Sequence, residues 1–415
     1  MKKLLKILRY TFITLLAIIV IALGYFYYDF NYSSIKDDYE INETNLSYFK
    51  NSYDEARQNF REMSKEIRSN FPDAKLFNIQ VDSKIDTGLT TDICFIPGDS
   101  TVNNLLIISS GTHGVEGYVG SAIQSFFMDK YLNEELLSKT SVLLIHSLNP
   151  YGFKYIRRVS ENNVDLNRNS DIDKKLYLTK NEGYPKVYDL INPEGTVDCG
   201  SLGNQFFFVE AIAEIAKASM PVLRQAVLQG QYEFPKGLYF GGNDFEPQIK
   251  KLAPIIDSIC KPYNSILAID LHTGYGARGV LHLFPNPAEA PVKKRIETIF
   301  EGFQIDWGDQ KDFYTITGDF VGYIGKINKE KEFIPMTFEY GTMNSQTTMG
   351  SLKSIHIMIL ENQGQQHGFE SEEDKEKVKK DLLEMYYPSS NKWRSHIIEE
   401  TKTVFDKSLL RFAEY

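Results

Sequence analysis

Seven short apolar runs recur along the chain: LFNIQV, TDICFI, NLLIIS, SVLLIHSL, NSILAIDLH, GVLHLF and EFIPMTFEY. Each is too brief for a helix and reads as a strand. Helix-like stretches such as GSAIQSFFMDKYL lie between them. In LSYFKNSYDEARQNFREMSKEI, Phe49, Tyr53, Ala56, Phe60, Met63 and Ile67 recur every three or four positions, the spacing of a helix with one face on a core. SEEDKEKVKKDL alternates charge and reads as the solvated face of a helix. No repeat, low-complexity segment or Pro/Gly linker divides the chain. The pattern predicts one α/β domain, a mixed central sheet flanked by helices.

The N-terminus breaks this pattern. Lys2, Lys3, Lys6 and Arg9 precede TFITLLAIIVIALGYFYY, which carries no charge until Asp29. A bilayer takes roughly 20 such residues. Positive charge before the segment, with Asp37 and Asp38 beyond it, places the N-terminus in the cytoplasm and the rest outside. Residues 1–34 read as a cytoplasmic stub and single-pass signal anchor, and 35–415 as one extracytoplasmic domain. A cleaved signal peptide is the rival reading, with Ala22-Leu23-Gly24 as a small-x-small site.

Composition narrows the function. The 415 residues are 42% hydrophobic and 24% charged, with a formal net charge of −9. That charge, without a long basic block, argues against a nucleic-acid partner. Cys94, Cys199 and Cys260 are scattered without a C-x-x-C, which argues against a cysteine zinc site or a disulfide framework.

Candidate chemistry gathers where strand-like runs end. SGTHGVEGYVG follows NLLIIS and sets His113 and Glu116 three residues apart among glycines. A turn allowed by Gly114 and Gly117 lets both reach one metal ion. Alone the pair is weak evidence and reads more simply as a buried, hydrogen-bonded histidine and a surface glutamate, and H-E-x-x-H and H-x-x-E-H are both absent. NPYGFKYIRRVSENNVDLNRN then packs Arg157, Arg158, Asp165, Asn167 and Arg168 into one stretch, and arginine suits a carboxylate or a polarised carbonyl. ILAIDLHTGYG ends a strand on His272, with Asp270 on the same strand face. EFIPMTFEYGT carries Glu339 to the end of another. An α/β sheet usually builds its site at these carboxyl ends.

In this order the motifs resemble the zinc carboxypeptidases of the M14 type, and among them the uncharacterised DUF2817 family. HGVEG, NPYGF, RRVSENNVDLNRN, GQYEFPKGLYFGG and DLHTGYG carry the resemblance, which covers most of residues 75 to 370. It implies the zinc carboxypeptidase-like fold and one zinc ion per chain, held by His113, Glu116 and His272 with a fourth position open for water. It further implies Glu339 as general base, Arg158 as the group that polarises the scissile carbonyl, and Asn167 with Arg168 as the carboxylate-binding pair. Asp165 is implied to orient the first histidine, and Tyr314 to cap the substrate. Val321, seven residues on from Tyr314, falls where the family shapes its side-chain pocket.

The implied activity is C-terminal amide cleavage in a peptide with a free carboxylate. The long insert from Ser170 to Phe245 suits smaller substrates, so an amidase or deacylase of small N-acyl amino acids or cell-wall peptides is the alternative within enzymes. A peptide-binding pseudoenzyme is the alternative outside them, but it needs no Glu339. GYGARG fits G-x-G-x-x-G, but strand-like VLHLFP follows where a dinucleotide site needs a helix. His146 reads as a core or supporting histidine. His282, His356, His367 and His396 have no partner motif and read as structural or exposed.

Overall fold

The computed structural model describes residues 2–308 and 316–414. Tyr314 lies outside the described residues. Among these the seven apolar runs form one sheet: β1 (Lys75–Gln80), β2 (Thr90–Ile96), β3 (Asn104–Ser110), β4 (Ser141–His146), β5 (Ser265–Gly274), β6 (Leu281–Phe284) and β7 (Glu332–Gly341). Their order is β1-β2-β4-β3-β5-β7-β6. β4, β3, β5 and β7 run parallel. β2 and β1 continue antiparallel on one side and β6 on the other.

Parallel strands need both faces covered, which is why β3 and β4 are apolar nearly throughout and buried along their whole length. Alternation divides β3 between two layers. Leu106 and Ile108 pack with Phe60, Phe127, Ile296 and Phe405 from the helices Tyr53–Asn70, Gly117–Lys130, Ala290–Ile299 and Asn391–Ala413. Leu105 and Ile107 pack with Ile256 and Ile324 from the helices Pro247–Cys260 and Phe320–Ile327.

Val321 belongs to this second layer, 3% exposed against Phe320 and Ile324. It is core, which corrects the expectation that it shapes a substrate pocket. The first amphipathic helix starts later than its periodicity suggests. The Ser52 hydroxyl accepts from Glu55 N and caps it, so Phe49 falls outside and stacks on Tyr387 at 6.1 Å. The charge-alternating stretch forms the helix Glu372–Tyr386, which buries only Val378, Leu382, Met385 and Tyr386. The three cysteines are free.

Ser170 to Phe245 folds into the helices Tyr184–Ile191, Leu202–Gln205, Phe207–Ala218 and Met220–Leu228. Tyr184–Ile191, Phe207–Ala218 and Met220–Leu228 share a third apolar cluster with the helix Thr348–His367. The N-terminal helix is long and apolar enough to cross a membrane over Lys3–Tyr32, with a mean hydropathy of 2.3. Its last turns rest on the insert: the Phe30 ring lies 5.5 Å from Phe208, and Tyr27 Oη donates to Gln205 Oε1 at 2.9 Å. Beyond it, Asp37 takes a two-pronged bond from Arg278, Nε to Oδ1 at 2.6 Å and Nη2 to Oδ2 at 2.7 Å.

Candidate active site

The site forms at the carboxyl ends of β3, β5 and β7, with His272 and Glu339 still inside their strands. After β3 the chain turns at Gly111, where φ is +65°. Gly114 and Gly117 do not supply the turn. Each allows close contact: a Cβ on Gly114 would stand 2.3 Å from Gly152 Cα, and one on Gly117 2.5 Å from the Phe153 ring. Gly114 N donates to Arg158 O at 2.9 Å and Val115 N to Arg157 O at 2.9 Å. These contacts bind HGVEG to NPYGF and RRVS, which brings Arg158 beside His113.

His113, Glu116 and His272 converge with one ligand atom each, all within 4.8 Å of one another. His113 Nδ1 lies 2.8 Å from Glu116 Oε1, and His272 Nδ1 2.8 Å from Oε2 of the same carboxylate. The two Nδ1 atoms are 3.1 Å apart. Each ring is held from behind by a carboxylate. His113 Nε2 lies 3.2 Å from Asp165 Oδ1, and His272 Nε2 2.7 Å from Asp270 Oδ2. Ser109 Oγ and Thr112 Oγ1 donate to Asp270 at 2.6 and 2.9 Å. All three converging residues are at most 4% exposed. Two imidazoles and a carboxylate meeting in one buried place fit a divalent cation.

Charge here is balanced pairwise. Burial pushes the Glu116 carboxyl up, but His113 and His272 outweigh it and hold it at about 2. Burial does the same to Asp165, where Arg158 and His113 win and keep it well below the usual carboxylate range. Glu339 goes the other way, pushed up to about 8 by desolvation and by the negative Glu116. Its Oε1 accepts from Tyr275 N at 2.8 Å.

The RR pair splits. Arg157 turns away to Glu361 at 2.8 Å. Arg158 turns inward, with Nε on Asp165 Oδ2 at 3.0 Å and Nη2 2.6 Å from His113 Nε2. Arg168 is more constrained than its motif suggests: Nε and Nη2 donate to Leu228 O at 3.2 and 2.6 Å, and Nη1 to Asn167 O at 2.8 Å. Asn167 Oδ1 accepts from Phe320 N at 3.2 Å.

Sequence reasoning gave three members no role. Asp270 was visible as a second carboxylate on the His272 strand face. Tyr239, from GLYFGG, lies under both arginines, its ring 5.2 Å from Arg158 Cζ and 5.9 Å from Arg168 Cζ. Tyr386 accepts from Arg158 Nη1 at 3.3 Å. Nothing in their local sequence marks either tyrosine.

One cavity of about 240 Å³ joins these groups; His113, Glu116, Arg158, Asn167, Arg168, His272 and Glu339 all line it. His146 is fully buried against Phe60, with Nε2 3.1 Å from Ser121 Oγ, and is a core residue as expected. His282 pairs with Asp306 at 2.9 Å and lies opposite Glu339 across β6–β7. β6 follows GYGARG, so no helix opens there.

Residues 49–400 match the family described as protein of unknown function DUF2817, and the chain belongs to that family. No curated protein matches it. Among solved structures, a candidate metallopeptidase from Shewanella amazonensis is similar over 80% of this chain and 98% of its own, at 11% identity and a TM-score of 0.37. Bovine thrombin-activatable fibrinolysis inhibitor, in complex with tick carboxypeptidase inhibitor, is similar over 76% and 97% at 13% identity, with a TM-score of 0.42. Carboxypeptidase A from Helicoverpa armigera is similar over 80% and 73% at 14% identity, with a TM-score of 0.39. Likeness at this level concerns chain course alone, so the chemistry is argued from the side chains.

Proposed function

We propose that this chain is a membrane-anchored, extracytoplasmic zinc hydrolase of the metallocarboxypeptidase type that cleaves the terminal amide bond of a substrate with a free carboxylate. The observation that carries the reading is the convergence of His113, Glu116 and His272, each imidazole backed by a carboxylate, with Glu339 facing them from the neighbouring strand. Zinc held there supplies a Lewis acid and makes water acidic enough to lose a proton near neutral pH.

The chain's own groups do the rest. Asp165 and Asp270 face the Nε2 atoms, which keeps each Nδ1 free to act as a ligand. Glu339, whose carboxyl a cation held beside it would return to the ionised form, takes a proton from the attacking water and delivers it to the departing nitrogen. Arg158, fixed by Asp165, sets a positive charge where the carbonyl oxygen becomes negative. Asn167 and Arg168 bind the substrate carboxylate, and Tyr314 is assigned the cap over the bound substrate.

A deacylase of N-acyl amino acids is the second reading. The insert favours it, because Ile191, Phe207, Ala211, Ile215, Leu223 and Val227 give the cavity an apolar wall with few partners for a peptide backbone. Metal analysis with a substrate panel tests both. The purified protein should carry close to one zinc per chain, and His272→Ala should lose it. Free-carboxylate peptides cleaved faster than N-acyl amino acids select the first reading, and the reverse order the second. Full zinc in His272→Ala sinks the ligand set.

A further inference from the structure

The cavity that holds the ligand cluster is also walled by the insert. Ile191, Phe207, Ala211, Ile215, Leu223 and Val227 face it. Arg224, whose Nη2 donates to Ser351 Oγ at 3.4 Å, is the one charged side chain that the described insert helices bring to this wall. A peptide suits such a wall poorly, since its backbone presents an N–H and a C=O at every residue that would lose water without finding a partner. A hydrocarbon chain presents none.

The helix Phe207–Ala218 shows where such a chain would come from. Phe207, Ala211 and Ile215, four residues apart, line the cavity. Phe208 packs on Phe26 and Phe30 of the N-terminal helix, at 6.5 and 5.5 Å between rings. Val209 and Ile212 remain 43% and 39% exposed, with Leu202 and Val222 on adjoining segments at 76% and 57%. One helix is therefore a cavity wall, the seat of the candidate membrane span and an exposed apolar surface. Soluble surfaces rarely gather such residues without an apolar partner.

We infer that the site takes an amphiphile: an N-acyl amino acid with a long acyl chain, drawn from the membrane surface. Its chain lies along Ala211, Ile215 and Leu223, and its amide reaches His113, Glu116 and His272. This rests on the hydrolase reading above and names its substrate. In the reaction, water oxygen bonds to the acyl carbon and the C–N bond breaks. Both water protons end on nitrogen, and the products are a fatty carboxylate and an amino acid in its ammonium form.

The test uses the full-length, zinc-loaded protein in detergent micelles with N-acyl alanines from acetyl to hexadecanoyl. Each buried methylene should raise kcat/KM about fourfold until the wall is filled. Ala211→Trp should lower the dodecanoyl-to-acetyl ratio of kcat/KM at least tenfold. Leu223→Trp, from the adjoining helix, makes the same measurement should the first variant not fold. A ratio near one in the wild type, with acetyl-alanine or dipeptides hydrolysed well, overturns the acyl assignment and leaves the hydrolase standing. If nothing is hydrolysed, calorimetry with Glu339→Gln decides. N-dodecanoyl-alanine bound at least tenfold more tightly than N-acetyl-alanine, and weakened by Ala211→Trp, upholds the acyl site while the hydrolase reading falls. Equal binding overturns the acyl site too.

Discussion

His272 and Glu339 are direct partners across the parallel pair β5–β7. Strands lie about 4.8 Å apart, so the pairing fixes the distance between a proposed metal ligand and the proposed base without help from any loop. Thr337 and Glu339 line the cavity while Phe338 between them is buried in the core, the alternation expected of a strand. A register slip of one residue would turn Glu339 away from His272 altogether.

The two glutamates should therefore respond differently to the same change. Glu339→Gln keeps shape and hydrogen bonding but cannot accept a proton. Its kcat should fall about 10²- to 10⁴-fold with zinc content near wild type. Glu116→Gln should lose zinc along with activity, because a neutral amide is a poor ligand. Elemental analysis beside steady-state kinetics reads both, and an active, zinc-loaded Glu339→Gln removes the proton-shuttle role.

Asp270 gives a graded effect. It holds His272 from behind and is itself held by Ser109 and Thr112. Asp270→Asn retains a hydrogen-bonding group but loses the charge that makes the imidazole a good donor. Zinc affinity should drop about 10- to 100-fold, with the fold intact. Competition against a chelator measures this, and unchanged affinity would show that Asp270 serves only the strand.

All seven strands were legible as short apolar runs, nearly continuous in the four parallel strands that are buried on both faces. The proposed ligand trio was legible through the resemblance its motifs carry, each of them ending or following such a run. Other features escaped because they depend on distant partners. Gly114 and Gly117 looked like turn residues, yet they exist to let Gly152 and Phe153 approach. Arg157 and Arg158 are neighbours in sequence, but only the packing around Glu361 sends them apart. Val321 packs in the core because the helix Phe320–Ile327 turns that side chain toward the sheet.

The segment after the N-terminal helix should show a pH-dependent hold. Burial raises the Asp37 carboxyl, but bonds from Arg278 and Ser390 outweigh this and lower it below its usual value. A carboxyl lowered on folding stabilises the fold above its unfolded pKa, and that contribution is lost as pH falls through the folded one. Asp37→Asn should thus melt several degrees below wild type at pH 7, and the gap should close below about pH 3 to 4. Thermal melts of both proteins from pH 3 to 8 test it. A gap that persists unchanged at pH 3 means Asp37 acts through packing rather than charge.

Arg168 decides what the site holds at the carboxylate end. The guanidinium has five N–H groups, and the bonds to Leu228 O and Asn167 O leave one on each Nη for a substrate. A carboxylate can still take both as a fork. Losing a charge-assisted pair of this kind costs about 1.5–3 kcal/mol, so Arg168→Ala should raise KM about ten- to hundredfold on free-carboxylate substrates. Amidated substrates lack the charge and should be poor already, so the variant should bring the two classes level. Arg168→Lys should not restore the difference, since a point charge has no fork. Arg168 also ties down the end of the insert, and its loss should lower thermal stability for every substrate alike. The KM ratio between free and amidated forms separates the two effects. If that ratio stays at its wild-type value in Arg168→Ala, Arg168 is a strut for the insert, and the carboxylate must be bound by Arg158, by Arg224 or not at all.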